Sequence, residues 1–197
     1  MRLVVAITGA TGAIYGIRLL EILKAYPEVE THLVISRPGK RTIVEETDWS
    51  VPDVESLATH RYDSNDIGAA VASGSFLTAG MVIAPCSIKT AAAVATCHSD
   101  NLVARAADVT LKEGRPLILL VRETPLHVGH LKMMLALAEM GAVVLPPMPA
   151  FYNRPQDLDD IVNHTIARAL DRLGLPQTLV AEWRGTHPRV GSGPLRA

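Results

Sequence analysis

The sequence predicts a doubly wound, Rossmann-like α/β domain, a parallel sheet with helices on both faces. Three observations carry that expectation. The chain opens on a buried apolar strand, Leu3 to Thr8, which turns through Gly9-Ala-Thr-Gly12 into a stretch with helical spacing at Ile14, Ile17, Leu20 and Leu23. Short runs of strand character recur at Thr31–Ser36, Gly80–Cys86, Arg115–Arg122 and Ala142–Leu145, and helical patterns lie between them. That alternation is the signature of crossover connections between parallel strands. A chain of 197 residues suits one such domain better than two. The domain is expected over residues 1–183, with a flexible Gly-, Pro- and Arg-rich tail over 184–197.

Composition narrows the function classes. Apolar residues make up 48% and charged residues 20%, which fits a folded domain and not a disordered one. The net charge is −1 with no long basic block, so neither a nucleic-acid nor a membrane-surface partner is expected. The Met-Arg-Leu-Val-Val start lacks the apolar region of a secretory signal, and no apolar run nears the ~20 residues of a membrane span. Cys86 and Cys97 do not have metal-ligand spacing, which suits a cytoplasmic location. Few aromatics (4%) beside many Ala and Gly residues point to close packing between subunits, hence a homo-oligomer.

The first turn is the clearest candidate site. Gly9 and Gly12 allow a sharp bend and close approach of a ligand, and the new helix offers unpaired N–H groups to a phosphate. The spacing is Gly-x-x-Gly-x-x-x-Gly, unlike the dinucleotide fingerprint. The second strand ends in Ser36 and Arg37 where an NAD site needs an acid, so a mononucleotide is favoured over NAD. Pro38 then starts a helix running to Asp48, in which the adjacent Glu45 and Glu46 point to different faces. Residues 49–66 read as a short helix near Val54–Leu57 plus loops, and Ala69–Ser75 as a small-residue loop able to lie against a flat ligand.

A second junction of the same kind follows. The strand Gly80–Cys86 runs into Ser87, a natural N-cap, with Lys89 and Thr90 at the join. Cys86 reads as a packed small residue, since nothing assigns it a base. After a helix capped by Asp100 or Asn101, the strand at Arg115–Arg122 ends in Arg122-Glu123, either a salt bridge or a catalytic acid beside an anion-binding cation. The helix His127–Met140 is expected to turn Leu131, Met134, Leu135 and Ala138 inward. A proline-rich turn, Pro146 to Tyr152, precedes a long helix over Asp157–Leu173 with Arg168 on a different face from its apolar residues, and a short helix is expected around Leu179–Trp183.

The ordered set Thr8-Gly-Ala-Thr-Gly-Ala-Ile-Tyr-Gly16, Ser73-Gly-Ser75, Ala84-Pro-Cys-Ser-Ile-Lys-Thr90, Asn101-Leu102, Arg105-Ala-Ala-Asp108, Leu111-Lys-Glu113, Arg122-Glu-Thr-Pro-Leu126 and Pro149-Ala-Phe-Tyr152 resembles the UbiX/Pad-type flavin prenyltransferases. These are related to the homo-oligomeric flavin-containing cysteine decarboxylases. The resemblance implies a metal-independent transferase that uses reduced FMN as a substrate. It would join a dimethylallyl group from dimethylallyl monophosphate to flavin N5 and C6, and the prenylated FMN would serve a UbiD-type decarboxylase. It also implies a homo-oligomer, commonly a dodecamer, with sites between subunits.

Carried over by the resemblance, Gly9, Ala10, Thr11, Ser36, Ser87, Ile88, Lys89, Thr90 and Arg122 match FMN-binding positions. Lys112, Arg122, Tyr152 and Arg168 match the group around the prenyl phosphate, and Glu123 and Glu46 the acids tied to proton handling. Thr11 stands where many members have Ser, and Ile67 where some carry Trp. The chemistry agrees with those residue types, because a phosphate leaving without a metal needs fixed cations. Two other functions share the scaffold, an FMN-dependent cysteine decarboxylase using His127 or His130 and a non-catalytic flavin carrier.

Overall fold

Because both faces of the central strands are covered, they are apolar without interruption, and alternate residues feed two cores. In β1 (Arg2–Ile7), Leu3, Val5 and Ile7 enter one core while Val4 and Ala6 enter the other. The computed structural model describes residues 1–180, so the expected tail and most of the helix expected at Leu179–Trp183 lie outside the described residues. β2 (Glu30–Ile35), β4 (Met81–Cys86), β5 (Leu117–Val121) and β6 (Val143–Val144) appear where the sequence places them. All strands are parallel, in the order β3-β2-β1-β4-β5-β6. The doubly wound fold is therefore as expected, and its strand order reverses between β1 and β4.

One core lies between the sheet and α1 (Ala13–Leu23), α2 (Arg37–Glu46), α3 (Val51–Ser56) and α7 (Leu158–Arg172). The other lies beneath α4 (Ile88–Ala95), α5 (Leu102–Lys112) and α6 (Val128–Glu139). Ser87 and Asn101 cap their helices as the sequence suggests, and Ser36 and Asp157 do the same, each accepting a first-turn N–H. Among the described residues no helix is long and apolar enough to cross a membrane.

Two elements differ from expectation. Residues 49–66 hold a sixth strand, β3 (His60–Tyr62), beside α3. Three residues, His-Arg-Tyr, carry no readable alternation, and only pairing with β2 makes them a strand. In α6 the buried residue is Leu137, while Leu131 and Leu135 are 53% and 58% exposed. That helix is apolar on more than one side, so its period does not choose the inner face. Val128, Leu131 and Leu135 are left as an exposed apolar strip, a surface suited to another protein copy.

Cys86 is buried at the end of β4, and burial pushes its thiol up to about 12, whereas Cys97 is exposed. A thiol reagent at mildly alkaline pH is expected to modify one cysteine per native chain, Cys97, with Cys86 reacting only on unfolding. Mass spectrometry of the labelled peptides checks this.

Candidate active site

The strand order reverses between β1 and β4, which opens a crevice at their carboxyl ends. Thr8 latches the two ends together. Its amide donates to Pro85 O (3.2 Å), and its Oγ1 donates to the same oxygen (2.8 Å) while accepting from the Ser87 amide (2.8 Å). Thr8 is 1% exposed, so these bonds run without competition from water. They fix the Gly9 turn against the start of α4. Gly9 itself lies so close to α2 that a Cβ there would overlap Pro38.

Two helix amino ends, those of α2 and α4, therefore face one cavity of about 280 Å³, lined by Gly9, Ser36, Ser87, Ile88, Lys89, Thr90, Asn101 and Glu123 among others. The caps are Ser36 Oγ accepting from Gly39 N (3.1 Å) and Ser87 Oγ accepting from Thr90 N (3.2 Å). Beside it, a larger cavity of about 690 Å³ is lined by Thr11, Gly12, Tyr15, Glu46, Trp49, Arg122 and Pro147 among others. The β1–α1 turn and the Arg122–Glu123 corner border both cavities. Among the described residues, neither Lys89 nor the Arg122 guanidinium has a carboxylate partner. Two unpaired cations and two positive helix ends around one crevice favour an anionic ligand such as a phosphate.

The amides of the Gly12 turn, which the sequence offers to a phosphate, are already occupied. Glu46 Oε2 accepts from Gly12 N (2.7 Å) and Ala13 N (3.2 Å), so a carboxylate from α2 caps α1. Gly12 sits at φ 98° to present those amides, a conformation an L side chain rarely adopts. An incoming anion is thus directed to the α2 and α4 ends. No spacing rule links Glu46 to residues 34 positions earlier, so sequence reasoning had no signal for this contact.

The other residues carried over by the resemblance lie elsewhere in the single chain. Lys112 ends α5, ion-paired with Glu113 and lying beside Gly74. It stands where β5 begins, on the order of 20 Å of strand away from Arg122 at the other end. Tyr152 and Arg168 lie on either side of His164, which the sequence did not single out. The Tyr152 hydroxyl is 3.2 Å from His164 Nε2, Arg168 lies one turn further along α7, and Arg168 Nη1 donates to Asp171 (2.8 Å). Burial, together with the Arg168 charge, holds His164 below the usual imidazole range. Ile67 is exposed. His127, considered for a decarboxylase, caps α6 by accepting from Gly129 N and lies tilted against the His130 ring.

A phosphate-seeking crevice at the switch point of a doubly wound sheet defines a mononucleotide-binding protein, and the comparisons make the class specific. Residues 1–170 match the family described as Flavoprotein. The flavin prenyltransferase UbiX of Escherichia coli K12 is 54% identical over 186 residues, covering 93% of this chain and 98% of that protein. A dodecameric FMN-dependent UbiX-like decarboxylase from Escherichia coli O157:H7 superimposes with a TM-score of 0.92 at 51% identity, covering 94% of this chain and all of that one. A UbiX protein solved with FMN and dimethylallyl pyrophosphate also gives 0.92, at 45% identity, covering 94% and 98% of the two chains. The chain belongs to the flavoprotein family, in its UbiX flavin prenyltransferase branch.

The Thr8 latch is testable on its own. Thr8→Val keeps the shape but leaves the Ser87 amide without its acceptor and Pro85 O with one donor, the Thr8 amide, in place of two. Urea unfolding is expected to show a loss of about 1–3 kcal/mol, and FMN titration a weaker affinity, because the two halves of the crevice are no longer held in register.

Proposed function

We propose that this chain is a flavin prenyltransferase that joins a dimethylallyl group from dimethylallyl monophosphate to N5 and C6 of reduced FMN. The product, prenylated FMN, is passed to a UbiD-type decarboxylase. The observation that carries this reading is the crevice itself, where unpaired Lys89 and Arg122, two helix amino ends and the acid Glu123 meet. The name of the 54%-identical relative and the ligands of the solved one support it.

In this reading Ser36, Ser87, Ile88, Lys89 and Thr90 hold the FMN phosphate at the α2 and α4 ends, and Gly9, Ala10 and Thr11 let the flavin lie close to the β1–α1 turn. Bound FMN supplies the nucleophilic ring that accepts the prenyl group. Arg122 faces the larger cavity, where it offsets the negative charge that grows on the departing phosphate. Glu123, beside it, holds or releases a proton at its carboxylate, for the phosphate or for flavin C6. Glu46 keeps the Gly12 turn in place from the other side.

Lys112, Tyr152 and Arg168 complete the phosphate group only if another copy of the chain brings them to the crevice. The exposed strip Val128, Leu131 and Leu135, with exposed Met148 and Phe151, supplies apolar surface for such contacts. The dodecamer of the UbiX-like relative supports an oligomer of that size here.

Anaerobic incubation of the protein with reduced FMN and dimethylallyl monophosphate should give a flavin heavier by one five-carbon unit in mass spectrometry. Glu123→Gln and Arg168→Ala should each slow its formation on the order of 10²–10³-fold. Unchanged flavin mass with the intact protein, or full rates in both variants, contradicts the assignment.

A further inference from the structure

At the amino edge of the sheet, remote from the crevice, β2 and β3 place four functional side chains on one face. Period-two alternation puts Glu30 and His32 of β2, and His60 and Tyr62 of β3, on the side of the α4–α6 core, with His32 directly across from His60. Apart from these, residues of β1 and β2 facing that core deep in the sheet, such as Val4, Ala6 and Val34, are apolar. His32 is 2% exposed, stacked on His60 (ring centroids 4.8 Å) and held edge-on against Phe76 (5.1 Å).

Hydrogen bonds account for most of this cluster but not all of it. His60 Nε2 lies 2.7 Å from Glu30 Oε1, and His32 Nδ1 lies 2.9 Å from the Tyr62 hydroxyl. The Arg2 guanidinium rests over the Phe76 ring and reaches Glu30 Oε2 (3.4 Å), which leaves Oε1 turned to both imidazoles. Among the described residues His32 Nε2, which is buried, has no hydrogen-bond partner, although it points at Glu30 Oε1 from 3.4 Å. A buried ring nitrogen facing a carboxylate oxygen outside hydrogen-bond geometry calls for something between them.

We propose that Glu30 Oε1, His32 Nε2 and His60 Nε2 form a zinc site that fastens the edge strand β3 to β2. The three donor atoms all lie within 4.8 Å of one another. Ligands at about 2.0–2.2 Å from a tetrahedral zinc stand about 3.3–3.5 Å apart, which matches the 3.4 Å between His32 and Glu30. Only Glu30 and His60 need adjust, and both are partly open to solvent, so water can fill the fourth position. The buried His32 is the fixed ligand. Tyr62 on its Nδ1 orients the ring, as an outer partner does for a metal-bound imidazole. Two imidazoles and one carboxylate suit zinc better than magnesium or calcium. β3 has only three residues, so a metal crosslink to β2 adds holding that backbone pairing alone supplies poorly.

The test uses the full chain, stripped with a chelator, dialysed into metal-free buffer and then titrated with Zn²⁺ against a chromophoric competitor. The expected result is one zinc per chain, and a thermal midpoint that rises with zinc. Glu30→Gln and His60→Asn should lose that equivalent and the thermal shift while remaining folded by circular dichroism. Tyr62→Phe should weaken binding about 10–100-fold, and Cys97→Ser should leave it unchanged. Failure of the intact chain to hold zinc, or equal retention by His60→Asn, overturns the proposal. Because FMN is absent from the assay, its outcome is separate from that of the prenyl-transfer experiment.

Discussion

A parallel sheet has a direction, and that one constraint organises this molecule. Every strand delivers its carboxyl end to the same edge, and every crossover helix returns the chain to the other. Gly9, Ser36, Ser87 and Arg122, which follow the ends of β1, β2, β4 and β5, must therefore gather on one side. Residues at the carboxyl end of a crossover helix, such as Lys112, must stand on the opposite side, a strand's length away. Within one chain no side chain is long enough to close that gap. A reaction needing both sets of cations is forced to use more than one copy of the protein, and the apolar strip on α6 supplies surface for it.

On the crevice side, smaller interactions divide the work. Thr8 ties the two strands at which the chain order reverses, its hydroxyl donating to Pro85 O and accepting from Ser87 N. Glu46 occupies the amino end of α1, so the positive ends still open to a ligand are those of α2 and α4. The carboxylate thus does more than cap a helix, because it determines which helices an incoming phosphate meets. Unpaired cations at Lys89 and Arg122 are tolerable because the crevice is open to water and, when loaded, to anions.

Sequence patterns revealed what is local and periodic. β1, its glycine turn, the Ser87 cap and α7 were legible because strand alternation, helical spacing and capping chemistry act within a few residues. β3 was not, since three polar residues become a strand only when β2 lies beside them. The inner face of α6 is illegible for a related reason, as a helix apolar on several sides has no preferred rotation until a sheet is placed under it. Of the site, the crevice residues could be read from their positions after strands. The grip of Glu46 on Gly12 and the approach of the Tyr152 hydroxyl to His164 depend on tertiary contacts that no spacing encodes.

The need for two copies is the claim on which the functional account rests, and mixed assembly addresses it directly. Lys112→Ala and Glu123→Gln chains, each impaired alone, would be co-assembled by unfolding and refolding in equal amounts, and prenylated FMN formation measured. If each site draws Glu123 from one chain and Lys112 from another, random assembly leaves about one quarter of the sites intact, and activity returns to that level. If the mixture stays as inactive as its parents, all the groups act within one chain, and the shared site is contradicted.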